Sequence, residues 1–255
     1  MKIVLKIGGN EIDDSNFLEK VSRLVAEIRN KNHQVILVHG GGKEITRLLN
    51  RLGLETKFVK GMRYTDPQSL EAVEMMLSGS INKRLVRSLQ QTGVDAIGLS
   101  GVDGRILTAE RIKREGEDIG LVGGVASVNT SVLENLMDKF AVVLSPISSD
   151  KESTGALNVN ADYAAAAVAS SLRSELTIFL SNVPGVINNG SLIAALRESE
   201  FEDLKRSGVI TGGMVPKIEA ALRAVKDGAR IAFITDADGA SQIVSGQTAG
   251  TQVIA

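Results

Sequence analysis

Two short apolar runs, "KIVLKIGG" from Lys2 and "QVILVHGGG" from Gln34, end in glycines and feed segments with helical periodicity. Such runs are too short for helices and are apolar at consecutive positions, so they are predicted as strands buried on both faces. Between them, "SNFLEKVSRLVAEIRN" sets Phe17, Leu18, Val21, Leu24, Val25 and Ile28 on one helical face, with Ser15 as the expected N-cap. The alternation continues through "AVVLSPI", the Ala-rich "ADYAAAAVASSL", "ELTIFL", "GGMVPKIEAALRAVKDGA" and "RIAFIT". Strands alternating with helices imply an α/β fold, a mainly parallel sheet covered by helices on both faces. Ligands of such sheets bind beyond the carboxyl ends of the strands, which is where the glycines fall.

The other segments fit that frame. "LETKFVKGMRYTD" is predicted as a hairpin, and "SSDKESTGALN" as a polar loop or hairpin. "DPQSLEAVEMMLSGSINKRLVRSLQQTG" is predicted as one long helix, capped by Asp66, opened by Pro67 and stopped by Gly93. Pattern alone leaves open whether it lies in the core or across a second subunit. The best lobe boundary is near Leu172–Ser174, dividing residues 1–172 from 173–255.

Composition narrows the function. A net charge of −1 and 3% aromatics argue against nucleic acid. The absence of cysteine fits a cytoplasmic protein without disulfides. No apolar run reaches the roughly 18 residues of a membrane span, and no signal peptide follows Met1. Two histidines leave little for a zinc site.

Neither usual nucleotide loop is present. No G-x-G-x-x-G follows the first strand, and the P-loop pattern fails because Glu44 follows Lys43. What stands out is a pair of lysines in glycine-rich settings. Lys6 lies inside a buried strand, where an ammonium is costly unless it meets an anion; the alternative is an edge strand with the lysine reaching water. Lys217 lies near the start of a helix opened by Gly212 and Gly213, an end that favours anions and disfavours cations. It either faces a polyphosphate or is solvated. Asn158, Asn160 and Asp162 alternate in "NVNAD" and would share one face of a strand, Asp162 orienting the lysines, unless Asn160 or Asp162 only caps the next helix. Arg63 suits a substrate carboxylate. His39 is expected to be structural, Asp103 to sit in a turn, and Lys43 to be a surface residue.

"KIGG", "VHGGG", "GMRYTD", "SGSINKRLV", "LSGVDG", "LNVNAD", "LSNVPGV" and "ITGGMVPKI" occur in this order over nearly the whole chain. The ordered set resembles the amino acid kinase family, and within it the acetylglutamate kinases. The resemblance implies a three-layer αβα sandwich. It implies phosphorylation of the side-chain carboxylate of N-acetyl-L-glutamate by ATP, with Mg2+ carried on the ATP phosphates, as a step of arginine biosynthesis. Acetylglutamate would bind the lobe 1–172 and ATP the lobe 173–255. Lys6 and Lys217 would stabilise the phosphoryl group in flight, organised by Asp162. Gly41, Gly42, Arg63, Asn158 and Asn160 would hold the acceptor, Arg63 taking its α-carboxylate. Gly8, Gly9, Asn182, Gly185, Gly212, Gly213 and Met214 would face the nucleotide, and no protein metal ligands are implied. Asn182 departs from the Asp of many relatives. The helix from Asp66 to Gly93 would make a homodimer. The extra N-terminal helix of arginine-inhibited relatives is missing, so no arginine feedback is expected.

Three alternatives stay open at the level of sequence. One is the related kinase acting on aminoadipate or glutamate linked to an acidic carrier protein, for which Lys57, Lys60, Arg63, Lys83 and Arg84 would supply a basic rim. Another is a non-catalytic sensor, which would be expected to have lost a reactive lysine. A third, a nucleotide or carbamate kinase of the same fold, fits "LNVNAD" less well.

Overall fold

The computed structural model describes residues 1–255 except Asn10, Glu11, Lys60, Glu115 and the side chain of Arg114. Strand β1 (Lys2–Ile7) leads through helix α1 (Ser15–Asn30) to β2 (Gln34–His39) and α2 (Gly42–Arg51). The short hairpin β3 (Phe58–Val59) and β4 (Met62–Arg63) precedes α3 (Pro67–Glu74), a π-helical stretch Met75–Ile81, and α4 (Asn82–Gln91). Then follow β5 (Ala96–Ser100), β6 (Leu107–Arg114), β7 (Glu117–Val128), α5 (Thr130–Met137), β8 (Ala141–Ser145), β9 (Ile147–Asp150), β10 (Ala156–Val159) and α6 (Ala161–Ser171). The last part holds β11 (Leu176–Leu180), β12 (Ile187–Asn188), β13 (Ser191–Leu192), β14 (Ala195–Arg197), α7 (Glu198–Arg206), α8 (Met214–Lys226), β15 (Ala232–Thr235), α9 (Ala237–Val244) and β16 (Thr251–Ile254).

Eight strands form one sheet in the order β14-β16-β15-β11-β1-β2-β8-β5. It is parallel except that β16 runs antiparallel to β15 and carries β14 with it. Alternation along each strand divides two cores. Ile3, Leu5 and Ile7 of β1 join Val35 and Leu37 of β2 under α1, α2, α3, α4 and α9. Val4, with Ile36 and Val38, faces the opposite core under α5, α6, α7 and α8. A sheet with apolar side chains on both faces must be covered twice, and the result is the expected three-layer sandwich.

The second face carries a feature the sequence did not announce. The strands β6, β7, β9 and β10 close on one another as a small barrel. The hairpin expected over "SSDKESTGALN" supplies two of them, β9 and β10, paired antiparallel.

Three local expectations need correction. The N-cap of α1 is Asp14, whose side chain accepts from the Asn16 N–H, and not Ser15. The strand of "NVNAD" ends at Val159, so Asn160 and Asp162 do not continue the face of Asn158. The long helix is opened by the Asp66 cap and Pro67 as expected, yet winds wider over Met75–Ile81. That stretch contains Ser78-Gly79-Ser80, a triplet of poor helix formers. Among the described residues no helix is long and apolar enough to cross a membrane.

The division near Leu172–Ser174 falls between α6 and β11. Strands before it (β1, β2, β8, β5) occupy one side of the sheet and strands after it the other, joined where β1 pairs with β11.

Candidate active site

The central strands β1, β2 and β11 end side by side, and the loops after β1 and β2 meet backbone to backbone. A Cβ on Gly9 would lie 2.4 Å from the backbone nitrogens of both Gly41 and Gly42. A Cβ on Gly41 would lie 2.5 Å from Ile81 Cδ1 and 2.9 Å from Leu77 Cδ2. Glycine is therefore needed there for close approach. Helix α2 opens on Gly41 without a side-chain cap, so its first-turn N–H groups face the cleft these loops bound.

Lys6 shares the parity of Val4 and so points to the face of α6. It is 5% exposed there, with Nζ 2.8 Å from Asp162 Oδ1. Asp162 stands in the first turn of α6, and Asn160 caps that helix by accepting from the N–H groups of Asp162 and Tyr163. Capping and charge pairing, posed as alternatives by the sequence, coexist on neighbouring residues. Lys217 is also buried, and its Nζ donates to the Leu180 carbonyl at 2.9 Å. Leu180 follows Phe179, the register partner of Lys6. Helix α8 packs on α6, so both lysines reach the same face at the ends of adjacent strands. Neither is the solvated surface lysine of the alternative reading.

A cleft of about 230 Å³ is lined by Lys6, Asp162, Gly9, Gly40, Gly41, Gly42, Arg63, Asn158 and Asn160, with Ile45, Phe58, Met62, Leu77 and Val122 as apolar wall. Arg63 donates through Nη2 to the Gly42 carbonyl at 3.0 Å and to Thr46 Oγ1 at 2.8 Å, and lies 4.7 Å from the Phe58 ring centre. Its Nη1 is buried without a hydrogen-bond partner among the described residues. Burial pushes the guanidinium below its ordinary value, though arginine stays charged. A buried, half-satisfied guanidinium beside a cleft suits a carboxylate. Asn158 Nδ2 donates to Thr65 Oγ1 at 3.1 Å. Thr46, Thr65 and the apolar wall carried no signal in the sequence, being ordinary residues made relevant only by the fold.

The residues expected on the nucleotide side are dispersed. Gly212 and Gly213 line a hollow of about 510 Å³ with Tyr163, Lys205 and Glu219, which shares Gly61, Met62 and Asn160 with the first cleft. Asn182 lines a separate hollow with Asp236 and Asp238. Gly185 turns at φ +153° against Leu192 and Thr251, and Met214 packs on the core. Gly9 lines the first cleft; Gly8 lies just outside its lining.

His39 is fully buried, and burial pushes its imidazole down to about 4, so it is neutral. Asp103 accepts from the Ser100 N–H and hydroxyl, as a turn residue does. Lys43 is on the exposed side of α2.

A sequence profile of the Amino acid kinase family matches residues 1–236. The acetylglutamate kinase of Methanopyrus kandleri is 42% identical over 245 residues, covering 92% of this chain and 95% of that protein. That of Roseiflexus castenholzii is 43% identical over 238 residues, covering 93% and 90%. Among solved structures, smu.665 from Streptococcus mutans UA159 superposes with a TM-score of 0.82 at 29% identity over 99% of this chain and 98% of that one. With a buried lysine on β1, a second on α8 reaching the end of the adjacent β11, and a family match over most of its length, this chain belongs to the amino acid kinase family.

Proposed function

We infer that this chain is a kinase of arginine biosynthesis that transfers the γ-phosphoryl group of ATP to the side-chain carboxylate of N-acetyl-L-glutamate, giving N-acetyl-L-glutamyl 5-phosphate. The relatives named acetylglutamate kinase support it. The observation that carries the chemistry is a single cleft that holds both a paired, buried lysine and an arginine with a buried free donor.

The acceptor lies with its α-carboxylate on Arg63 and its side-chain carboxylate toward Lys6, while Ile45, Met62, Leu77 and Val122 exclude water from the carbon skeleton. A carboxylate oxygen attacks the γ-phosphorus. The new O–P bond forms as the bond to the β–γ bridging oxygen breaks, and the electron pair leaves with ADP. The carboxylate is already ionised and needs no general base. The protein supplies position and positive charge. Lys6 and Lys217 flank the phosphoryl group in flight, and Asp162 holds Lys6 in place. The N–H groups of Gly9, Gly41 and Gly42 approach the phosphoryl and acceptor oxygens. Mg2+ carried on the ATP phosphates, as part of the substrate, would offset part of their charge. The nucleotide lies over the lobe 173–255, toward Asn182, Gly212 and Gly213, and the acceptor over the lobe 1–172. The exposed Met75 on the long helix, at 58% exposure, suits a homodimer through that helix. The lack of cysteine suits a cytoplasmic setting.

The carrier-protein reading is not favoured. Of its rim, Arg63 is buried, Lys83 folds onto the Gly98 carbonyl, and Arg84 is paired with Glu44. Lys60 lies outside the described residues, and among the described members Lys57 and Lys83 are exposed. The sensor reading loses its ground because both lysines are present and buried. The test is ADP release with free N-acetyl-L-glutamate. Turnover is expected; none there, with turnover on a carrier-linked substrate, would reverse the assignment.

A further inference from the structure

His39 closes β2 on the face opposite Lys6, sharing the parity of Val35 and Leu37, and it points at α4. There its Nε2 lies 3.2 Å from Asn82 Nδ2. The amide of Asn82 is oriented by two strand carbonyls, since Nδ2 also donates to Leu99 O at 3.2 Å and Val143 O at 3.0 Å, while Lys83 Nζ donates to Oδ1 at 3.0 Å. The two amide hydrogens are shared among these two carbonyls and Nε2; since an amide nitrogen only donates, Nε2 of the neutral imidazole is the acceptor and the proton sits on Nδ1. Nδ1 lies 3.2 Å from the Gly40 carbonyl and donates to it.

That carbonyl belongs to the peptide joining Gly40 to Gly41. Neither residue has a side chain to resist rotation of the peptide plane. C=O and N–H point in opposite directions across a trans peptide. Holding the Gly40 carbonyl on His39 therefore turns the Gly41 N–H away from it, toward the loop of Gly9. A flipped peptide would instead offer an oxygen to a site meant for a carboxylate and a phosphoryl group, replacing attraction by repulsion.

We propose that Asn82 and His39 form a positioning relay: Asn82 fixes the imidazole tautomer, and the imidazole locks the Gly40–Gly41 peptide with its N–H presented to the acceptor and phosphoryl oxygens. The proposal rests on the kinase reading for its consequence and on the hydrogen-bond geometry for its existence. Neither residue touches substrate, so both act through the glycine loop.

Two side chains of similar polarity separate positioning from packing. In H39N the amide nitrogen takes the place of Nδ1 and keeps the Gly40 carbonyl; in H39Q the amide oxygen takes the place of Nε2 and accepts from Asn82, leaving that carbonyl free. Both variants are expected to lower Tm comparably. H39Q should lose about a hundredfold in kcat, the size of one preorganised donor, and H39N less than about fivefold. KM for N-acetyl-L-glutamate should change less than about threefold in each, because the Arg63 contact is retained. Equal kcat losses in the two variants, or full kcat in H39Q, would overturn the proposal. The second measurement needs no variant and no substrate: the ¹⁵N shifts of His39 in the wild-type protein should report the Nδ1–H tautomer, and the Nε2–H tautomer would overturn it. Should the wild type fail to turn over N-acetyl-L-glutamate, the substrate assignment alone falls, and the tautomer measurement decides the relay.

Discussion

The acceptor side and the nucleotide side of this site are built differently. At the ends of β1 and β2 the parts interlock: Gly9 touches the backbone of Gly41 and Gly42, Lys6 is held by Asp162, and Arg63 by Gly42 and Thr46. Beyond β11, Gly185 is packed against Leu192 and Thr251, but Gly212 and Gly213 stand free, and a Cβ on either would meet nothing within 4 Å. Lys217, tied to the Leu180 carbonyl, is fixed more firmly than these two glycines. The acceptor is small and must be placed accurately for in-line attack, so its half is preorganised. A nucleotide brings many contacts of its own and can complete a looser surface.

That contrast can be broken in several ways. The largest effect should come from Lys217→Ala, lowering kcat by roughly 100-fold or more as for loss of a charge-stabilising donor; an unchanged kcat in steady-state assays removes Lys217 from the mechanism. Next is pH. His39 has its pKa lowered to about 4 mainly by burial, with the nearby Arg84 and Lys83 acting in the same direction. The unfolded state therefore takes up the proton first. Stability is full above about pH 6.5 and should fall by roughly 3 kcal/mol as pH drops toward 4. His33, pushed down mainly by burial, adds to this, so comparing urea melts of wild type and H39N isolates the share of His39. Parallel curves for the two would mean that His39 is not the group responsible.

Gly9→Ala should cost about 1–3 kcal/mol in thermal stability, since backbone must move to admit a methyl; an unchanged Tm would show that the loops are not locked together. Arg63→Ala should raise KM for acetylglutamate roughly ten- to thirtyfold, the scale of a hydrogen bond to a charged group, and leave kcat nearly intact. A shift in the KM for ATP instead would reverse the two sides. Gly213→Ala should change stability by less than about 0.5 kcal/mol. A larger loss in its calorimetric melt would show that the nucleotide side is as tightly built as its partner.

Much of this was legible because strand ends carry their own punctuation. Consecutive apolar residues running into glycine marked β1 and β2. The cost of burying an ammonium, or of setting one at a helix N-terminus, singled out Lys6 and Lys217 by their positions in the chain. The barrel of β6, β7, β9 and β10 was not legible, since its pairing joins strands far apart in sequence and no local pattern encodes closure. Helical periodicity missed the wide turn at Met75–Ile81, because a slightly wider turn hardly disturbs an apolar stripe. The partner of His39 was hidden for a similar reason. Asn82 sits in an ordinary amphipathic helix, and only the packing of α4 on β5 and β8 brings its first residue beside the end of β2.

The pairing of Ile3 with Leu176 has a consequence for how the chain reaches this state. The centre of the sheet joins segments about two thirds of the chain apart, so loop-closure entropy makes this a late contact and folding correspondingly slow. Until β11 arrives, β1 presents an unpaired and largely apolar edge, the kind of surface that recruits other chains. The two lysines come together only at that step. A chain stalled before it would hold Lys6 against Asp162 yet lack Lys217, the second positive charge, and it would be both inactive and prone to aggregate.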